Sequence, residues 1–201
     1  MAFIETTSPQ DASGDVREMY ERQQSHYGYV PNYAKVFSHR PELMRLWADL
    51  LSGIRRNLSR QRFELVTVAA ALEIRSSYCS LAHGKALATM YSADDMRAIV
   101  TDSERSPLTE AEKAMMTFAR KIARNASTVE ASDVQALKAH GLSDAEIFDI
   151  AAAASARTFF AQLCEGLGCA PDPEYAAIEE PLRQALTVGR QIDRAPVEAL
   201  A

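Results

Sequence analysis

Three side chains close together in the chain have the types and spacing for thiol chemistry: Glu64, Cys79 and His83. They lie in Leu58–Met90, which reads LSRQRFELVTVAAALEIRSSYCSLAHGKALATM. If Cys79 sits in the first turn of a helix, the unpaired backbone N–H groups there favour an anion on its sulfur. His83, four residues on, shares that helix face and comes within hydrogen-bonding reach. Both effects favour the thiolate, which is the reactive form of cysteine. Glu64 is the carboxylate placed to orient His83 or to relay its protons. That role demands a chain reversal, because one straight helix would leave Glu64 ~18 Å from Ser76. The alternatives are a buried inert thiol, a histidine satisfied on a helix face, and a carboxylate paired with Arg56 or Arg60.

The elements that must position these residues read as helices throughout. Asp11–Tyr27 carries Val16, Met19, Tyr20 and Gln23 at helical spacing and is broken by Gly28-Tyr29-Val30-Pro31. A short apolar turn, Tyr33–Phe37, follows. Pro41–Arg56 is amphipathic, with Leu43, Leu46, Trp47, Leu50, Leu51 and Ile54 on one stripe. Ser59 caps a helix running to about Ile74, and Ser76-Ser77 interrupts it and starts the one bearing Cys79. Ser92 opens another, residues 102–108 form a polar loop, and Thr109…Glu112 and Ser143…Glu146 are capping boxes. Between them, Ser132 is the cap of a helix ending at His140-Gly141. Glu174–Leu186 reads as a last helix, and the tail from Arg190 to Ala201 is weakly patterned. No segment alternates with period two, so the fold class is all-α. A faint internal echo, shifted by 84 residues, sets Leu58, Ser59, Phe63 and Val66 on Leu142, Ser143, Ile147 and Ile150.

Composition narrows the partners. The 201 residues are 47% hydrophobic, enough for one substantial core, so a single domain over 1–201 is expected. A net charge of −5 gives no electrostatic reason to bind nucleic acid or an anionic membrane. No run of apolar residues is long enough to span a bilayer, and the first residues lack the pattern of a secretory signal. Three cysteines match no disulfide framework, which fits a reducing cytoplasm. His26, His39 and His140 have no metal-ligand spacing, and no glycine-rich phosphate loop is present, so neither metal nor cofactor is expected. Cys164 and Cys169 fall near the last helix boundary, outside the Cys79 segment. A disulfide to either would need Cα atoms within ~7 Å, and a structural role is the simpler reading.

The order Glu64, Ser76-Ser77-Tyr78-Cys79, His83 resembles the signature of the AhpD-like / carboxymuconolactone decarboxylase superfamily, in its peroxidase-related branch. That branch shows Glu, eleven residues, C-x-[HY]-C, three residues and His. The sequence matches at Glu64, Tyr78, Cys79 and His83, while Ser76 stands in place of the first cysteine. The segments GYVPNYAKVFSHRPEL, KAHGLSDAEI and FFAQLCEGLG…DPEY resemble the same branch, so the likeness covers roughly residues 15–190. It implies an AhpD-like helical bundle and a homo-oligomer (dimer, trimer or hexamer). It also implies a site in which Cys79 is activated by His83 with Glu64 in the relay, and Tyr78 and Ser76 line the pocket.

In two-cysteine members of that superfamily the pair cycles between dithiol and disulfide to reduce hydroperoxides. Serine at position 76 removes that cycle from the motif. Three functions follow. The first is a cofactor-free, peroxidase-related enzyme with one active thiol, oxidised by a hydroperoxide and restored by an external thiol reductant. The second is a decarboxylase-like lyase or isomerase, with His83 and Glu64 doing acid–base work on a small organic acid or lactone. The third is a non-catalytic oligomer that binds a ligand in a relic pocket.

Overall fold

The computed structural model describes residues 2–194, and these contain ten α-helices, four short 3-10 turns and no strand. The helices are α1 (Gly14–Tyr27), α2 (Asn32–Val36), α3 (Pro41–Arg55), α4 (Arg60–Glu73), α5 (Ser77–Leu87), α6 (Ala93–Thr101), α7 (Glu110–Asn125), α8 (Ala131–Ala139), α9 (Asp144–Gly166) and α10 (Glu180–Leu186). No helix among the described residues is long and apolar enough to cross a membrane.

The centre of the bundle is α4, where every residue from Phe63 to Ala71 is buried. A helix buried all round must be packed on several sides, and α5, α7 and α9 provide those sides. Its small residues, Ala69, Ala70 and Ala71, let the neighbouring backbones come close. Ser59 starts it, accepting a hydrogen bond from the Arg62 N–H at 3.2 Å. The expected capping boxes are present at Thr109/Glu112 on α7 and Ser143/Glu146 on α9. The echo seen in the sequence has a spatial counterpart: α4 packs on α9, and Arg62 pairs with Glu146 at 2.8 Å, 84 residues away.

Three local expectations are corrected. The cap position of α8 is Glu130, whose backbone N–H donates to the Asp133 carboxylate at 2.7 Å, and Ser132 lies inside the helix. Glu174–Leu186 is not one helix: a 3-10 turn over Pro173–Ala177 is separated from α10, which Pro181 begins afresh. The first helix starts at Gly14 rather than Asp11. Of the C-terminal tail, positions 195–201 lie outside the described residues.

The turn between α4 and α5 decides where the chemistry sits. Arg75 adopts a left-handed conformation, φ 56°, and the Ser76 N–H reaches back to the Ala71 carbonyl at 2.9 Å. This is a Schellman-type helix end built on a non-glycine residue. It costs roughly 1–2 kcal/mol relative to a right-handed conformation. The C-terminal segment holds the strained turn in place. Gly189 donates its N–H to the Ser77 hydroxyl at 2.7 Å, and a Cβ at Gly189 would overlap the Arg75 carbonyl oxygen.

Candidate active site

Reversal at Arg75 lays α5 back along α4, and the carboxylate and imidazole that are separated in sequence meet. His83 Nδ1 lies 2.6 Å from Glu64 Oε2. Glu64 is buried and the His83 side chain is 17% exposed, which makes the imidazole the more open of the two. Burial works to raise the Glu64 carboxyl. The hydrogen bond and charge of His83, with the positive charges of Arg55 and Arg157, outweigh it, and the carboxyl lies below its usual range. Burial and the Arg157 charge lower His83, against the pull of Glu64. The pair is therefore an anionic carboxylate accepting Nδ1–H from a neutral imidazole. This leaves Nε2 as the basic nitrogen, with no hydrogen-bond partner among the described residues. Phe63 packs edge-on against the ring, 6.1 Å between centroids, and fixes its plane.

Cys79 occupies the first turn of α5, as its position after Ser76-Ser77 suggested. Its side chain is 1% exposed. The sulfur's polar partner is a different one from that expected. No hydrogen bond joins Cys79 to His83 among the described residues. The Sγ instead accepts from Arg157 Nη1 at 3.5 Å, reaching across from the middle of α9.

Arg157 is the residue that sequence reasoning missed. It is only 4% exposed, it makes no ion pair with a carboxylate among the described residues, and its Nε has no partner. A buried cation is expensive unless an anion or polarisable groups compensate it. Here the compensation comes from the faces of Trp47 and Phe160, 5.8 and 5.4 Å from the guanidinium carbon, and from the sulfur. Trp47 and Phe160 stack on each other at 5.1 Å, so the guanidinium has a rigid aromatic support. The signal was present in the chain: AAAASARTFFAQL contains one charge in an otherwise small and apolar run. A helix packed on several sides leaves such a charge no route to water.

Ser76 and Tyr78 are both buried, and neither hydroxyl is seen bonded to the sulfur. Ser76 Oγ has no hydrogen-bond partner, so its side chain does not cap α5. Tyr78 donates to Asp172, which also accepts from the Asn32 N–H at 2.7 Å. Burial, reinforced by the Asp172 charge, pushes the Tyr78 phenol up and keeps it a donor. This network ties the start of α5 to the segment after α9. No group of three or more His, Cys, Asp or Glu side chains among the described residues converges in a way that would hold a metal ion.

No family model and no curated protein matches the chain. Solved structures do. An uncharacterized peroxidase-related protein from Ralstonia eutropha JMP134, an alkylhydroperoxidase AhpD core, superposes with a TM-score of 0.77 at 22% identity, over 87% of this chain and 94% of its own. A peroxidase-related protein from Silicibacter sp. TM1040 gives 0.73 at 22% identity, over 87% and 91%. The debrominase Bmp8, as a Cys-to-Ala variant in complex with 2,3,4-tribromopyrrole, gives 0.69 at 15% identity, over 90% and 94%. At such identities the likeness carries the architecture rather than the chemistry. The chain has the AhpD-like, all-helical fold.

Proposed function

We propose that this protein is a cofactor-free, peroxidase-related oxidoreductase in which Cys79 reduces a hydroperoxide. The observation that carries the reading is the Arg157 guanidinium 3.5 Å from a buried sulfur, with no carboxylate ion-paired to it among the described residues. A fixed positive charge beside a thiol favours the anion, and low dielectric strengthens that preference. The start of α5 adds the partial positive charge of its free N–H groups.

The reaction follows from those groups. The Cys79 proton passes to Nε2 of the neutral His83, one turn along the same helix face, and Glu64 steadies the imidazolium through Nδ1–H. The sulfur attacks the terminal peroxide oxygen. The O–O bond breaks, a sulfenic acid forms on Cys79, and the alkoxide takes the proton back from His83 and leaves as the alcohol. An external thiol condenses with the sulfenic acid, releasing water, and a second thiol returns Cys79 to its starting state. A reducing, cytoplasmic setting suits that return step. The exposed Leu46, Leu50 and Phe159 support assembly into a homo-oligomer.

The test uses purified protein and one equivalent of cumene hydroperoxide, following peroxide loss and sulfenate labelling at Cys79. The wild type consumes peroxide and passes through a Cys79 sulfenate that need not accumulate, and Cys79→Ser does neither. Peroxide loss no greater than that of Cys79→Ser overturns the reading.

One observation favours a second reading. The His83–Glu64 pair is complete without the sulfur, so acid–base chemistry on a small organic acid or lactone needs no thiol. The debrominase among the structural neighbours supports a fold open to more than peroxides. An activity that survives complete alkylation of Cys79 would select this reading over the first.

A further inference from the structure

The chain has lost the motif's partner sulfur at Ser76, yet two more thiols lie in the same buried region. α9 ends with Gly168 in the left-handed region, φ 74°, and the Cys169 N–H bonds to the Cys164 carbonyl at 2.9 Å. In a Schellman end of this kind the residues so joined bring their side chains into contact. The last turn of α9 therefore sets the Cys164 and Cys169 thiols against each other, 0% and 1% exposed. Both are free. Cys164 is also two helical turns beyond Arg157, on the face of α9 that meets Cys79. α5 and α9 pack together, and the Arg157 contact fixes Cys79 against this face of α9.

Electrostatics agree with this placement. The hydrogen bond to Cys169, then burial, then the proximity of the Cys169 and Cys79 sulfurs, push the Cys164 thiol far above its ordinary range. After burial, Asp172 and Tyr175, the Cys169 sulfur also acts on Tyr78, the residue next to Cys79. The three thiols thus lie within electrostatic reach of one another. Protonated and buried, Cys164 is slow toward peroxide itself and is held in reserve for a stronger electrophile.

We propose that Cys164 and Cys169 are the redox partner that Ser76 does not supply, so that oxidation begun on Cys79 ends as a Cys164–Cys169 disulfide. The proposal rests on the peroxide reading of Cys79. The Cys164 thiol attacks the Cys79 sulfenic acid, a sulfur–sulfur bond forms, and the hydroxyl leaves with the thiol proton as water. Cys169 then attacks the Cys164 sulfur. The Cys79–Cys164 bond breaks, the Cys169 proton passes to Cys79, and its sulfur is regenerated beside Arg157. One hydroperoxide becomes one alcohol and one water, and the two electrons come from the Cys164–Cys169 pair. An external dithiol completes the cycle by reducing that disulfide.

The experiment treats the full chain with one equivalent of cumene hydroperoxide in the absence of added thiol. Intact mass is read directly, and peptide mapping follows trapping with dimedone and iodoacetamide. The wild type is expected to become about 2 Da lighter, with the bond mapped to Cys164–Cys169 and little dimedone on Cys79. In Cys164→Ser the dimedone adduct on Cys79 rises at least several-fold, and in Cys169→Ser a Cys79–Cys164 bond accumulates. The wild-type mass needs no variant to fold. A wild type that instead gains about 16 Da at Cys79, with no disulfide, overturns the relay and leaves the peroxide reading standing. A protein oxidised at none of the three cysteines overturns both.

Discussion

Cys79 and Cys164 are the same residue, equally buried, at opposite kinds of helix end. Cys79 sits in the first turn of α5 and faces a guanidinium; Cys164 sits in the last turns of α9 and faces another thiol. A helix start carries partial positive charge and a helix end partial negative charge, so the two sites differ in field before any side chain is considered. Arg157 enlarges the difference on one side. The neighbouring Cys169, together with burial, enlarges it on the other and pushes Cys164 upward. Burial alone therefore says little about a cysteine's chemistry. The charge facing the sulfur decides it.

Removing that charge is the strongest way to break the contrast. Arg157→Met keeps the bulk beside Trp47 and Phe160 but takes away the cation. With no positive charge left to face the attacking sulfur, peroxide consumption should slow on the order of tenfold or more. A buried cation without an ion-pair partner is also costly, so the same variant should melt no lower than the wild type. Stopped-flow peroxide kinetics and a thermal melt on one preparation test both halves. Slower chemistry with unchanged or higher Tm is the expected pairing. A loss of both would make Arg157 a structural residue.

A smaller effect is expected from the turn that presents Cys79. Gly189→Ala sets a methyl group against the Arg75 carbonyl, and backbone cannot give way as a flexible side chain can. Crowding of this sort costs roughly 1–3 kcal/mol. It should lower Tm and disturb Cys79, while the Cys164–Cys169 end of α9 keeps its resistance to alkylation. Equal disturbance of all three thiols would show that the two ends are not independent.

The smallest effect concerns the His83–Glu64 pair. The unfolded chain takes up its histidine proton near 6.5, whereas folded His83, lowered by burial and Arg157, resists it. Its contribution to stability is full above that value and is lost as pH falls toward the folded value. Glu64, also lowered, contributes fully above its ordinary range near 4.5 and loses that contribution as pH falls through the folded value. Denaturant melts between pH 7 and 5.5 should show the wild type losing stability and His83→Gln losing less. Parallel curves for the two proteins would place the acid sensitivity elsewhere.

Much of this architecture was legible in the residues. The stripe on α3, the capping boxes on α7 and α9 and the break at Ser76-Ser77 are local, and local rules read them. The meeting of Glu64 and His83 required a reversal that the sequence could only demand, because Arg75 is not a residue type that announces a left-handed turn. Arg157 was harder still. It comes from a helix far along the chain, and only its isolation among alanines and phenylalanines marked it. The cap of α8 was misplaced because Ser132 and Glu130 lie within two positions of each other, and the single helix expected over Glu174–Leu186 overlooks Pro181, which starts a helix afresh. The Cys164–Cys169 contact was written in the sequence as a helix ending at Gly168, but a glycine terminator specifies a bond to a carbonyl and not what lies around it.

The most direct measurement of the contrast between the two thiols is their order of alkylation in the native protein. Full-length wild type is exposed at pH 7 to limiting iodoacetamide, and each cysteine peptide is quantified over time. The account predicts that Cys79 is labelled first, at least about tenfold ahead of Cys164 and Cys169, with the fold intact. Labelling of all three together, at the rate of unfolding, would contradict it.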